Sequence, residues 1–109
     1  SSKIRDLLAQ VNELYNDIVL EPGEKLNNDY VDRILHLKVK MIYDAGRDRE
    51  TMARWEEKEY PNGKLAYFFN ETGLLNMINE IGDSRKKFID YCKYFEALVA
   101  YHKYFGGKE

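Results

Sequence analysis

Residues 84–108, SRKKFIDYCKYFEALVAYHKYFGGK, constrain the fold more than any other part of the chain. They hold seven of the fourteen Phe and Tyr residues, interleaved with Arg85, Lys86, Lys87, Lys93 and Lys103, and end on Gly106-Gly107. At about 100° per residue around a helix axis, Tyr101, Tyr94, Phe105, Leu98, Tyr91, His102, Phe95, Phe88, Val99 and Cys92 fill one arc of roughly half the circumference. A helix apolar over so much of its surface has to pack on several sides. The spacing therefore predicts a central rod over 84–105. Its narrower remaining arc carries Lys86, Lys93, Ala97, Ala100 and Tyr104, where small residues admit a close partner, so Lys86, Ala97 and Ala100 are expected subunit contacts.

The preceding segments supply the neighbours such a rod needs. Ile4, Leu7, Leu8, Val11, Leu14, Tyr15 and Ile18 recur at three-and-four spacing, which predicts an amphipathic helix over about 2–19. Pro22-Gly23 breaks it, and Asn27 or Asn28 caps a second helix that starts near Asp29. A short helical turn over 64–70 and a helix over 71–81 follow, and Gly82-Asp83-Ser84 stops one helix and caps the next. No segment alternates at the strand period. The expected fold is all-α, a compact bundle of about five helices forming a single domain over 1–109.

The second helix has two readable faces. Leu37, Tyr30, Met41, Ile34, Ala45, Val31, Ile42, Leu35 and Val39 form its apolar arc, while Arg33, His36, Lys40, Tyr43 and Arg47 line the other side at i, i+3, i+7, i+10 and i+14. That line runs about 21 Å along the axis at ~1.5 Å per residue. It suits either solvation or several phosphates of one strand, with Tyr43 available to stack on a base. Lys38 falls inside the apolar arc, where an ammonium needs a partner. Glu96, at the edge of the last helix's arc, is the expected one. If Gly46 does not interrupt it, the second helix continues to about residue 59, overhanging the bundle. Such an arm, with Trp55 as a contact, invites a helix-exchanged dimer.

Seventeen basic against nineteen acidic residues give a formal charge of −2, so any anion-binding surface has to come from local segregation of charge. No apolar run approaches the ~20 residues needed to span a bilayer, and the amino-terminal SSKIRDLL lacks the pattern of a signal peptide. A soluble, cytoplasmic protein with no membrane partner is expected. Cys92 is the single cysteine, so no internal disulfide forms. His36 and His102 sit in no metal-ligand pattern, the serines have no base in sequence context, and glycine-rich phosphate cradles are absent. Catalytic residues, metal and cofactors are expected to be none.

Three segments, SKIRDLLAQVNELYND, DRILHLKVKMIYDAGR and FIDYCKYFEALVAYHKYFGGK, together resemble the small helical subunit of the type III-A (Csm-type) CRISPR RNA-guided effector complex. The string YFEALVAYHKYFGGK is the most specific, and the resemblance covers most of the chain except 48–64. It implies a non-catalytic subunit stacked in several copies beside backbone subunits, contacting the guide–target RNA duplex mainly through the target-strand backbone without reading sequence. Positions matching the family's basic residues are Arg5, Arg33, Lys38, Arg47, Lys93 and Lys103. Lys40 and His36 join them from the helical line, and Lys38 has two readings, RNA contact or the pair with Glu96. The alternative function is a helical scaffold or dimerisation module with no RNA contact.

Overall fold

In a computed structural model, which describes residues 3–48 and 64–104, five helices follow one another. They are α1 (Lys3–Val19), α2 (Asn28–Asp48), α3 (Lys64–Thr72), α4 (Leu74–Asn79) and α5 (Arg85–Tyr104). The fold is all-α, and no strand occurs among the described residues. The predicted extension of α2 towards residue 59, the exchanged dimer and Trp55 lie outside the described residues.

Local chemistry sets the ends of these helices. Asn27 caps α2, its Oδ1 accepting the Tyr30 N–H at 3.0 Å. Ser84 does the same for α5, its Oγ accepting from the Lys87 N–H at 3.2 Å. Between α3 and α4 the chain turns at Gly73, whose φ of 75° belongs to the left-handed region that glycine enters without strain. The boundary predicted between the segments 64–70 and 71–81 therefore falls at Gly73, so that α3 runs on to Thr72 and the next helix starts at Leu74.

The core is a single cluster. Leu7, Val11, Leu14 and Ile18 of α1 face Ile34, Leu37 and Met41 of α2, Leu65 and Phe69 of α3, Leu74 and Ile78 of α4, and Phe88, Tyr91, Cys92 and Phe95 of α5. Three of the four largest fully buried side chains, Tyr91, Phe88 and Phe95, come from α5, as expected of a central helix. That helix packs chiefly on α1 and also on α4, while α1 packs on α2 as well. Its apolar arc is wider than its buried face: Tyr94, Leu98 and Val99 are half-buried, and Tyr101 is exposed.

Two tyrosine hydroxyls of α5 are bonded across the core. The Tyr91 hydroxyl donates to the Leu74 carbonyl at 3.0 Å and lies 3.6 Å from the Met41 sulfur. The Tyr94 hydroxyl donates to the Thr72 carbonyl at 2.8 Å. The two tyrosines thus bind the carbonyls on either side of Gly73. A second tie joins the α1–α2 loop to the start of α5. The Leu26 N–H donates to the Asp83 carbonyl at 2.7 Å, the Arg85 N–H to the Glu24 carbonyl at 3.0 Å, and the Arg85 guanidinium to the Val19 carbonyl at 3.0 Å.

The expected Lys38–Glu96 pair is not formed. Glu96 stands beside the buried face of α5 and is exposed, Lys38 is half-buried, and no ion pair joins them among the described residues. A long lysine stem at the margin of an apolar arc covers neighbouring carbon while its ammonium reaches water, so no buried partner is needed. Glu96→Ala should accordingly change the unfolding free energy by less than about 0.5 kcal/mol, as for other surface sites. Phe95→Ala should cost about 3–5 kcal/mol through the cavity it leaves. Tyr91→Phe should cost about 1 kcal/mol through the loss of the buried hydrogen bond to the Leu74 carbonyl. Chemical denaturation of the three variants checks all of these.

Burial, and secondarily the Glu96 carboxylate, push the Cys92 thiol up to about 12 from its ordinary 9.0. Burial also raises the Tyr91 phenol, with Cys92 adding to the shift. The unfolded chain releases these protons at lower pH than the folded one, so the stability they confer is complete below pH 9.0 and is lost as pH climbs towards about 12. The melting temperature should therefore fall through that alkaline window, and less steeply in Cys92→Ala.

Candidate nucleic-acid interface

α2 turns its apolar arc towards α1, α3 and α4 and leaves the basic line outside. Arg33, His36, Tyr43 and Arg47 are exposed, and Lys40 is half-buried. All five predicted members of the line are thus accessible along one side of a single helix, as their spacing requires. Two of them are cation–aromatic pairs within the helix. The Arg33 guanidinium lies 5.6 Å from the Tyr30 ring centroid, and that of Arg47 lies 5.4 Å from the Tyr43 ring centroid.

Carboxylates flank the line. Arg33 bonds to Asp17 of α1 at 3.0 Å, and Lys40 bonds to Asp44 one turn along α2 at 3.2 Å. Asp44 is buried while the Lys40 side chain retains 40% of its exposure, so the pair places a buried negative charge beneath a partly solvated positive one. The Asp44 partner was readable from the four-residue spacing. Asp17 was not, because it comes from another helix and only the packing of α1 on α2 brings it to Arg33. Of the cations in the line, Arg47 has an aromatic partner and no carboxylate among the described residues. The exposed His36 side chain has neither.

The remaining predicted contacts lie on other helices. Arg5 is exposed on α1 and is engaged in an interaction there. Lys86, Lys93, Ala97 and Ala100 share the exposed side of α5, where Lys86 bonds to Asp90 at 2.7 Å. No hydrogen bond or ion pair among the described residues links this group to the α2 line, and α1 packs on both helices. The side chain of Lys103 lies outside the described residues.

A shallow hollow at the start of α2 is lined by Asn27, Asp29, Tyr30, Asp32 and Arg33. Its mixture of charges and its openness suit neither a phosphate cradle nor a catalytic pocket. No group of three metal-ligating side chains occurs among the described residues. No helix is long and apolar enough to cross a membrane among them. Cys92 is buried, and its high pKa keeps the thiol protonated near neutral pH.

Chemically, the outer side of α2 offers positive charge, imidazole and an aromatic ring at regular intervals and nothing that breaks or makes bonds. The chain is 33% identical over 105 residues to the CRISPR system Cms protein Csm2 of Enterococcus italicus, covering 96% of this chain and 66% of that protein. It is 31% identical over 109 residues to the protein of the same name from Streptococcus thermophilus, covering 100% of this chain and 74% of that one. With that of Mycobacterium tuberculosis it shares 26% over 109 residues, covering 100% and 77%. The chain thus spans 66% of the length of the first relative and about three-quarters of the others. The family described as Csm2 Type III-A matches residues 1–108, and the chain belongs to that family.

Proposed function

We propose that the chain is a non-catalytic small subunit of a type III-A CRISPR effector complex, stacking in several copies and contacting the guide–target RNA duplex through target-strand phosphates. The observation that carries the RNA part is the accessible line Arg33, His36, Lys40, Tyr43 and Arg47 along one side of α2. Point charges and a ring at helical intervals bind backbone and stack on bases without reading their edges. Sequence specificity is then left to guide pairing. Exposed Lys93 and Arg5 add charge from the neighbouring helices, and Lys86, Ala97 and Ala100 offer a surface for the backbone subunits or further copies.

One copy binds RNA weakly on this reading. The chain is slightly acidic overall, and Asp17 and Asp44 already hold two cations of the line. Several copies along one duplex convert weak single contacts into useful avidity. The same two ion pairs support a second reading, a helical protein–protein scaffold in which the α2 charges serve the fold and no RNA is touched.

The triple variant Arg33→Ala/Lys40→Ala/Arg47→Ala separates the two. It should keep the helical circular dichroism of the wild type, lose affinity for assembled guide–target duplex equally across sequences, and lower the salt slope of binding by about two to three. Wild-type affinity in the variant, with normal assembly, would establish the scaffold reading instead.

A further inference from the structure

α2 carries a third surface that neither the core nor the basic line uses. Leu35, Val39 and Ile42 are 53%, 55% and 50% exposed, and with Gly46 they repeat at four, three and four residues, the spacing of a helix-packing seam. Three aliphatic side chains in register on the outer side of a 21-residue helix form a continuous strip rather than scattered surface residues. Gly46 sits at the end of that strip, a poor helix residue within a helix. Its own chain does not explain it: a Cβ added there meets nothing within 4 Å, and its φ is not positive.

From this strip we infer that two copies of the chain pair α2 against α2, antiparallel about a two-fold axis between Val39 and Ile42. The flank of the strip selects that partner. Asp32, His36, Tyr43 and Arg47 follow one another along one edge, and Asp32 and His36 have no side-chain ion pair or hydrogen bond among the described residues. Reversing the helix on itself brings Asp32 of one copy to Arg47 of the other and His36 to Tyr43, each pair twice. The axial offset is about two residues, or ~3 Å, within reach of these side chains. A parallel pairing turns this edge of one copy away from the same edge of the other and forms neither contact. In the antiparallel register Leu35 of one copy lies over Gly46 of the other, filling the gap that the missing side chain leaves.

The contact is closed by its symmetry, so it ends at two copies, unlike the open repeat that a stack requires. It also needs no exchange of chain segments. One strip of this length is small beside a standard interface, so the dimer is weak and concentration-dependent. It covers His36, Tyr43 and Arg47, and if the RNA reading above holds, pairing and RNA contact exclude each other on the same copy.

Sedimentation equilibrium of the RNA-free chain over a wide concentration range tests the pairing independently of the RNA reading. The expected result is a monomer–dimer equilibrium with nothing larger. Val39→Lys should abolish it with an unchanged melting curve. Asp32→Lys and Arg47→Glu should each weaken the dimer about tenfold, and the double variant should recover most of that loss by restoring the pair in reverse. A chain monomeric to about 1 mM, where even a small interface shows, would overturn the proposal. So would growth beyond two copies, or a double variant no tighter than its singles.

Discussion

The hydroxyl of Tyr91 is the polar atom on which the packing of this bundle turns. It belongs to one of the largest fully buried side chains, in a position where a phenol without a partner costs about 1–3 kcal/mol. Its partner is the Leu74 carbonyl, at the start of α4 just after the chain turns at Gly73. Tyr94, three residues on, takes the Thr72 carbonyl on the other side of the same turn. The last carbonyls of a helix have no intrahelical partner, and the Thr72 carbonyl at the end of α3 takes its donor from α5. The break between α3 and α4 and the wide apolar stripe of α5 are therefore one device. Each side satisfies what the other would leave exposed inside the core.

That device also fixes where α2 sits. Met41 lies fully buried with its sulfur beside the Tyr91 hydroxyl, and the residues a turn on either side, Leu37 and Ala45, are buried with it. Once this arc faces inward, helical geometry leaves Arg33, His36, Tyr43 and Arg47 no choice but the outside. The orientation of the basic line is a consequence of core packing rather than of electrostatics. Electrostatics then adjusts it: Asp17 reaches across from α1 to Arg33, and Asp44 sits beneath Lys40. Carboxylates placed beside these cations, in a protein with a formal charge of −2, limit how strongly one copy attracts a polyanion.

Much of this was legible from the residues alone, and the failures share a cause. The five helices, the caps at Asn27 and Ser84, and the inward face of α2 follow from spacing and turn chemistry, because these are local properties of the chain. The boundary between the third and fourth helices falls at Gly73 instead of at residue 71, since a glycine inside an apolar run reads equally as a tolerated helix residue. The Lys38–Glu96 pair failed for a different reason. A helical wheel states which residues share a face but not how much of that face another helix covers, and coverage decides whether a lysine is buried or only at the margin. The same limit explains Leu35, Val39, Ile42 and Tyr101. All four stand in apolar arcs on the wheel, and all four are at least half exposed.

An apolar arc wider than the core that receives it costs solubility and contributes nothing to the fold of a single chain. On α2 the excess is not random: Leu35, Val39 and Ile42 lie on one strip, Gly46 clears space at its end, and charges of opposite sign stand at opposite ends of its edge. A helix facing the core on one side and water on the other requires only two faces. This one has three, and the inner face alone is accounted for within the chain. The strip and the basic line meet at Tyr43 and Arg47, whose stacked ring and guanidinium belong to both. Any partner that covers the strip must therefore displace, or be displaced by, whatever the line binds. On the proposed readings, the spacing along α2 therefore sets the paired copy and the RNA in competition for one helix.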